Sequence, residues 1–320
     1  MIFFGENGSG TVKLDAAIRV EINSEYGVPA DDMTVTFSGS VPLDLWKIYA
    51  VQDGFEALKE AKAENGVLFA GIVDEVTARY DGAERKVTVY ARSMAALLLD
   101  NECEPGQYID PTSDVIAAKH ILPFGICECT AQKVKSKRTG GTMTLMRGQS
   151  HWAAVNTFCR TFLSSVPRID FTGRFRTDTY LEGEDIVFDN ESGVFFSQAS
   201  VKVKRCKRIS KVFARTSGGM VTVSNERAAE DGIVRERRID LSDSRTGTLS
   251  DADRIIEKGE EGALTVSLLC SGYLGDAVGR GAYVSLPEVN GGRLLVYKTK
   301  YVESGGSGRT TVTLSEGKEL

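Results

Sequence analysis

Apolar and polar residues alternate along much of this chain, with the period of two that is typical of strands with one buried face. In 85–92, Val87, Val89 and Ala91 would point to one face and the residues between them to the other. From Met94 the alternation gives way to a compact apolar run of good helix formers, which predicts one or two helical turns. The pattern therefore predicts a strand that ends in an apolar plug, at the closing edge of a domain.

Similar alternation predicts strands over most of the remaining chain. These segments are 18–23, 33–37, 46–51, 66–79, 186–188, 194–196, 264–270, 292–302 and 309–314. Asp81 and Gly82 form a strong hairpin signal between 66–79 and the strand at 85–92. Because a soluble sheet must protect its free edges, we expect the N-terminal strands to close into a small barrel.

Helical patterns concentrate between residues 101 and 170. Segment 113–119 has the composition of a capped helix start, and Ser150 is the predicted N-cap of a second helix. Four apolar residues of that second helix would share one face: Trp152, Val155, Phe158 and Phe162. A short helix or an inserted turn on the barrel surface is predicted at 56–64, and a short helix is predicted at 251–258. The sequence therefore predicts a small α+β insert within a mainly β chain.

Two predicted hairpins resemble each other. One starts at Gly66 and the other at Gly292, and each reaches a valine at the same offset, Val76 and Val302, before it returns through an arginine. Either the chain holds two similar small β-barrels, or any two hairpins look alike because the period of two and the turn residues enforce it. The first alternative gives a first β-barrel domain, a helix-containing insert, a β-rich connecting region and strands that complete a second β-barrel domain. Their predicted bounds are 1–100, 101–170, 171–247 and 248–320.

Length and composition indicate a soluble globular protein. The 320 residues are enough for two or three domains, and 42% of them are hydrophobic and 26% charged. The formal net charge of −5 argues against general nucleic-acid binding, which usually needs a basic domain. The sequence has no apolar run long enough to cross a bilayer and no N-terminal signal pattern. We therefore expect a chain that folds in the cytoplasm without membrane insertion.

The chain has six cysteines and two histidines. The cysteines are Cys103, Cys127, Cys129, Cys159, Cys206 and Cys270. Without a secretion signal, and in a chain this long, free buried thiols are expected rather than disulfides. Cys127 and Cys129 are separated by one residue, unlike the Cys-x-x-Cys pattern of zinc sites, and two histidines add few ligands. The sequence predicts no metal and no cofactor.

No pattern of nucleophile and base indicates a catalytic centre. His151 and Cys159 lie eight positions apart on one predicted helix, too far for a nucleophile and its base. His120 is at a predicted helix end, where the helix dipole favours a cation. The basic run at 201–212 has no interleaved aromatic residues, which favours a solvated or protein-facing surface over phosphate or nucleic-acid binding.

A glycosidase needs two acidic residues, and the candidates for such a pair are Asp74, Glu75 and Glu104. Adjacent strand residues point to opposite faces, so we do not expect Asp74 and Glu75 to act on one bond. A salt bridge to Arg92, or a contact between subunits, is the more direct explanation of these acids. The sequence therefore favours a protein without enzymatic activity.

Three groups of residues, in their order along the chain, resemble the late control protein D family, the baseplate hub proteins of contractile phage tails. The first group comprises 69–75, 91–93 and 97–102, the second 148–152 and the third 309–314. Relatives of that family include phage-tail-like bacteriocins (tailocins) and the hub part of the spikes of type VI secretion, a contractile injection system.

The resemblance implies a homotrimeric structural hub rather than an enzyme. In this family three copies, each with two similar tail-tube-like β-barrels, join the six-fold tail tube to the three-fold central spike. The implied partners are the tail tube protein, the central spike protein and other baseplate and tape-measure components, with no specific nucleic acid. Assembly would take place in the bacterial cytoplasm, and the mature protein would lie in the virion tail. Asp74, Glu75 and Arg92, within the matching segments, are the candidate subunit contacts.

Two other functions are compatible with the sequence. Residues 148–152 also resemble the start of a LysM-like helix, which would suit a tail-associated peptidoglycan-cleaving or wall-binding protein. A carbohydrate- or receptor-binding tail component is the third alternative. Exposed aromatic clusters on loops would favour it, whereas the loops here are mostly glycine, serine and charged residues.

Overall fold

The computed structural model describes residues 1–126, 141–163, 165–169, 173–176, 185–216, 218–241, 249–289 and 291–316, without the side chains of 249–251, 254 and 261. The chain is mostly β, with 47% strand and 19% helix, which confirms the predicted fold class. Among the described residues, no helix is both long and apolar enough to cross a membrane.

Taken together, the described residues form more strands than helices. The strands are β1 Ile2–Asn7, β2 Gly10–Lys13, β3 Ala17–Glu25, β4 Asp32–Ser38, β5 Lys47–Val51, β6 Val67–Asp81, β7 Glu84–Ser93, β8 Gly106–Ile109, β9 Thr142–Leu145, β10 Arg168–Ile169, β11 Phe175–Arg176, β12 Ile186–Phe188, β13 Phe196–Val203, β14 Lys211–Thr216, β15 Gly219–Ser224, β16 Glu236–Asp240, β17 Leu264–Ser271, β18 Gly281–Val284, β19 Leu294–Ser304 and β20 Ser307–Glu316. The α-helices are α1 Leu58–Ala63, α2 Ala95–Asp100, α3 Ser113–His120, α4 His151–Phe158, α5 Glu226–Glu230 and α6 Leu249–Glu261.

The chain forms two compact units, and each is assembled from several segments. The first comprises Met1–Gly183, Ser271–Gly279 and Lys298–Thr310, and the second comprises Glu184–Cys270, Arg280–Tyr297 and Thr311–Leu320. β19 and β20 therefore each contribute residues to both units. The division into four regions at residues 100, 170 and 247 stays a prediction.

The first unit contains an antiparallel sheet in the order β2, β1, β5, β6, β7, β4, β3 and the Lys298–Ser304 part of β19. Val87, Val89 and Ala91 are fully buried, as their spacing predicts. They pack with side chains of the neighbouring strands, which include Phe3, Ile22, Met33, Val35, Phe37, Ile48 and Phe69. The alternating pattern thus encodes one face of this sheet.

β6 and β7 form the predicted hairpin. Asp81 pairs with Glu84, and Gly82 in the turn has a φ of +60°, in the left-handed region that glycine adopts without strain. The turn thus fixes which residues of β6 and β7 pair, and this pairing continues along both strands to the buried residues of β7.

α1 confirms the helix predicted at 56–64. Its Leu58 and Ala61 pack with Phe4 in a core of their own. Because Phe3 belongs to the first core and its neighbour Phe4 to this one, α1 covers the opposite face of the sheet.

The helix-containing insert has its own core, in which α2, α3 and α4 pack with the two-stranded ribbon of β8 and β9. The predicted apolar face of α4 and of the π-helical turn after it is buried: Trp152, Val155, Phe158 and Phe162. Ser150 is the N-cap of α4, and its Oγ accepts a hydrogen bond from the backbone N–H of Ala153 at 3.2 Å. The cap of α3 is Thr112, one residue before the predicted segment. The helices predicted at 113–119 and from Ser150 are therefore present, whereas the bounds of the insert, 101–170, stay a prediction.

The second unit combines two groups of strands. β13 pairs antiparallel with β17, while β12 pairs parallel with β18, which also pairs with β19. β14 lies between β15 and β16 in a separate three-stranded sheet, and α6 packs against it. The core beneath α6 consists of Ile209, Val212, Ala214 and Ala252.

The basic run at 201–212 is not one strand. β13 ends at Val203 and β14 begins at Lys211. Arg208 lies between them, and only 9% of its side chain is exposed. Of the two surfaces expected for the run, solvated or protein-facing, Arg208 faces the protein, because three carboxylates surround this residue and permit its burial.

Those carboxylates and Arg208 form what we call the Arg208 cluster: Arg208, Asp231, Glu260 and Glu316. Nε of Arg208 lies 3.2 Å from Glu260 on α6, Nη2 lies 3.1 Å from Glu316 on β20, and Nη1 binds Asp231 after α5. Arg227 on α5 also binds Glu316, at 2.7 Å. Burial disfavours the charged form of Arg208, but the bond to Glu316 and the nearby negative charges outweigh it, so the pKa of Arg208 is raised. The cluster ties three elements of the second unit together.

Candidate functional site

Arg92 is the centre of the predicted contact site, and it binds two carboxylates. Its Nε lies 2.5 Å from Oδ2 of Asp74, and its Nη2 lies 3.1 Å from Oδ1 of the same residue. Nη2 and Nη1 also lie 2.6 Å and 3.2 Å from the two carboxylate oxygens of Asp100. The hydrogen bonds to Asp74, and then those to Asp100, raise the pKa of Arg92. The structure thus contains the salt bridge between Asp74 and Arg92 that the sequence suggested.

Asp74 reaches Arg92 because the strand is irregular at this point. In the ladder between β6 and β7, Val73 pairs with Ala91 and Glu75 with Tyr90, so Asp74 is the extra residue of a β-bulge. The assumption of strict alternation at Asp74 and Glu75 is therefore wrong. Glu75 is not brought to the salt bridge by this geometry, and its Oε1 accepts a hydrogen bond from the Thr77 hydroxyl at 2.7 Å.

Sequence reasoning missed Asp100. This residue ends α2, the helix predicted from the apolar run after Met94. Its position as the first acid after that run was the available signal, because a short helix that folds back from a strand returns its last residue toward the strand. The arrangement fixes the end of α2 to the end of β7.

The salt bridge lies at one end of a polar sheet face on the first unit. We define the polar face by the residues that alternate with the buried core on four strands: Glu21, Asn23, Glu25, Asp32, Thr34, Thr36, Thr88, Tyr90, Arg92, Lys298 and Lys300. Many of these side chains form hydrogen bonds or ion pairs with side chains of the neighbouring strand. Opposite charges that face each other across two strands are expected to interact in this way.

Two ion pairs cross from β19 to β3 on the polar face. Lys298 Nζ lies 2.7 Å from Glu25 and Lys300 Nζ lies 2.5 Å from Glu21. The hydrogen bond from Lys300 lowers the pKa of Glu21 despite partial burial. Tyr90 is 36% exposed, and burial, with the charge of Asp32, raises its pKa. The polar face thus presents charged groups in positions set by the sheet.

The two histidines meet each other in the insert. Nδ1 of His120 lies 3.1 Å from Nδ1 of His151, and Nε2 of His120 lies 2.9 Å from the Tyr108 hydroxyl. His120 is 2% exposed, and burial, followed by the charges of His151 and Lys119, lowers its pKa to about 4. The expectation of a cation at this helix end is therefore wrong, because burial outweighs the helix dipole.

The remaining candidate residues form no catalytic arrangement within the described chain. Cys103, Cys159 and Cys270 are free and buried, and Cys206 is free and exposed. Burial raises the pKa values of Cys103 and Cys270, so these thiols are poor nucleophiles.

Glu104 lies in an exposed segment after α2. Cys127 and Cys129 lie outside the described residues. In the part of the chain that the structure describes, no three metal-binding side chains are grouped so as to hold an ion.

Comparisons with known proteins place the fold. No family model matches the chain. No curated protein matches it in sequence. Solved structures do match. The chain is similar to the 43 kDa tail protein of prophage MuSo2 from Shewanella oneidensis, with a TM-score of 0.74 and 13% identity over 99% of this chain and 98% of that one.

Two further structures show the same likeness. A tail protein from Neisseria meningitidis has a TM-score of 0.68 and 13% identity over 98% of this chain and 96% of that one. A component of the type VI secretion system of Escherichia coli, described as similar to bacteriophage T4 tail proteins, has a TM-score of 0.53 and 12% identity over 95% of this chain and 74% of that one. The chain therefore has the fold of phage tail and baseplate-type proteins.

Proposed function

We propose that this protein is the structural hub of a contractile-tail baseplate, a homotrimer that joins the six-fold tail tube to the three-fold central spike. The observation that carries the proposal is the likeness to phage tail proteins along nearly the whole length of both chains. The likeness to a type VI secretion component points in the same direction, because that protein is itself described as similar to phage tail proteins.

The physical basis of the proposal is a match of symmetries. A chain that holds two similar β-barrels would present six of them when three copies form a closed ring. Such a ring could dock on a six-fold tube with one end and on a three-fold spike with the other. The similar residue patterns of two hairpins, one formed by β6 and β7 and the other by β19 and β20, support this duplication.

The proposed mechanism is mechanical. The hub caps the tail tube, orients the spike and leaves an axial channel once the spike is lost. Other baseplate and tape-measure components would bind around it, in a particle assembled in the bacterial cytoplasm and retained in the virion tail. A phage and a phage-tail-like bacteriocin would use the hub in the same way.

We propose that the Arg92 salt bridge belongs to a contact between subunits. The side chain of Arg92 is 27% exposed and that of Asp100 is 54% exposed, so a neighbouring subunit could reach both. Glu75, which follows Asp74 on β6 and pairs with Tyr90, would extend the same contact. A charged cluster that is already ordered costs less conformational entropy to bind than mobile side chains do.

Mass photometry of the purified chain, alone and with its spike, tests the hub. We expect a trimer, or a monomer that becomes a trimer when the spike is added. Electron microscopy of that trimer should show six similar β-domains around the axis. A stable dimer, or N- and C-terminal β regions that do not superimpose, would contradict the proposal.

A structural role also predicts the absence of wall-cleaving activity. Zymography on purified peptidoglycan should show no clearing, with lysozyme as the positive control. Clearing at low protein concentration would instead favour a tail-associated peptidoglycan-cleaving protein.

A further inference from the structure

The contact between His120 and His151 joins two helices at their ends. His120 is the last residue of α3, and His151 is the first residue of α4. Their ring centroids lie 5.1 Å apart, and the ring of Phe124 packs on His151 at 4.8 Å. The nearly complete burial of His120 keeps water from replacing this contact.

A hydrogen bond between two Nδ1 atoms has room for one proton only. At 3.1 Å one ring must donate and the other must accept with an unprotonated nitrogen. The accepting ring is therefore neutral whenever the contact exists. If both rings are charged, two N–H groups and two positive charges face each other at this distance, and the contact is lost.

The surroundings offer little compensation for a second charge. Tyr108 of β8 binds His120 through its hydroxyl, and Lys119 of α3 adds a positive charge, with its Nζ 4.9 Å from the centre of the Tyr108 ring. Among the described residues, the segment between α2 and β8 adds Glu102, Cys103 and Glu104 to the titratable groups around the site. The backbone of Glu102 bonds to His151 and favours its charged form, but burial outweighs that bond. The amino end of α4 carries a partial positive charge that also disfavours a charged His151.

We propose that this histidine pair is a proton-sensitive contact that holds α3 against α4 at neutral pH and releases them on acidification. The sign follows from linkage. Histidine in an open insert titrates near 6.5, whereas burial lowers the pKa of His120 in the closed insert to about 4, so acid favours the open form. The stabilisation is complete above about pH 6.5 and is lost as the pH falls toward 4. Over that interval the closed form loses up to roughly 300-fold in population relative to the open form.

Nuclear magnetic resonance of the full chain tests the contact directly, because the chain has only two histidines and both belong to the pair. With ring-labelled histidine, we expect one ring to titrate at least one pH unit below 6.5. Amide hydrogen exchange, corrected for its intrinsic pH dependence, should rise at least tenfold in α3 and α4 between pH 7 and 5, while β6 and β7 stay protected. Two rings that titrate near 6.5, with unchanged exchange in α3 and α4, would overturn the proposal.

Two variants distinguish an effect of histidine protonation from a general loss of stability in the insert. His120→Gln keeps a hydrogen-bonding group next to His151 but removes the ring whose pKa is lowered by burial, so the acid-induced rise in exchange should fall at least threefold. Ser150→Ala removes the cap of α4 without removing a titrating group, and it should raise exchange equally at pH 7 and pH 5. If His120→Gln keeps the full acid response of the unmodified protein, the pair is not the sensor.

Discussion

Arg92 in the first unit and Arg208 in the second unit each bind more than one carboxylate, but water reaches them to different extents. The side chains of Arg208 and Glu316 are 9% and 11% exposed, whereas those of Arg92 and Asp100 are 27% and 54% exposed. A buried arginine cannot lose one partner without leaving another charge unpaired in a poor solvent. An arginine at an open face can exchange water for the groups of a partner. The same pairing of charges is therefore closed to water in the second unit and open to it in the first.

The largest expected effect is on the Arg208 cluster. Arg208→Met should destabilise the second unit by about 3–5 kcal/mol, because Asp231, Glu260 and Glu316 would lose their shared cation. Hydrogen exchange in α6 and β14 reports on this unit by itself. Arg215→Ala is the matched control, since Arg215 is 70% exposed and lies 3.9 Å from Asp240. It should change stability by less than about 0.5 kcal/mol. Equal effects of the two variants would mean that burial does not distinguish the two arginines.

A smaller effect on stability, but a larger one on assembly, is expected at Arg92. Arg92→Ala should cost about 1 kcal/mol, because its ion pairs are partly exposed to water. If the proposed subunit contact is correct, the same variant should weaken the trimer at least tenfold in mass photometry. Lys13→Ala is the control, since it removes the exposed pair of Lys13 and Glu56, which are 2.9 Å apart. Trimers of unchanged stability in Arg92→Ala would restrict Arg92 to a role within one chain.

The smallest effect is expected for the ion pairs of the polar face. Lys300→Ala should cost about 0.5 kcal/mol or less, because the pair with Glu21 is exposed and screened by salt. The lowered pKa of Glu21 means that this contribution is present above its ordinary value of 4.5 and is lost as the pH falls through the folded value. A double-mutant cycle with Glu21→Gln at pH 7 and pH 3.5, in low and high salt, measures it. A coupling energy that is equal at both pH values would contradict the assignment.

Local patterns in the sequence predicted much of the fold. The spacing of Val87, Val89 and Ala91 gave the buried face of β7, Asp81 and Gly82 gave the hairpin, and Ser150 gave the start of α4. These features depend on neighbours within a few residues. Helix and strand propensity, alternation and capping act over the same short distance, so these features can be predicted directly from the local sequence.

Features that depend on residues far apart in the sequence could not be predicted from local patterns. The hydroxyl of Tyr273 donates to the backbone oxygen of Leu68, 205 positions earlier in the chain, and nothing near either residue indicates it. The bulge at Asp74 and the burial of Arg208 likewise depend on what the partner strand or the neighbouring helix supplies. The candidate site was therefore found in part, as Asp74 and Arg92, whereas Asp100 was not.

The pairing of β19 with β3 joins two strands that are synthesised far apart in time. Lys298 bonds to Glu25, 273 positions earlier, so β3 leaves the ribosome long before its neighbour is made. During that delay one edge of β3 lies open in the nascent chain, where it can capture strands of other chains. A stop codon just before β19 would therefore damage the first unit as well as the second, and newly made chains would need protection until β19 has been synthesised.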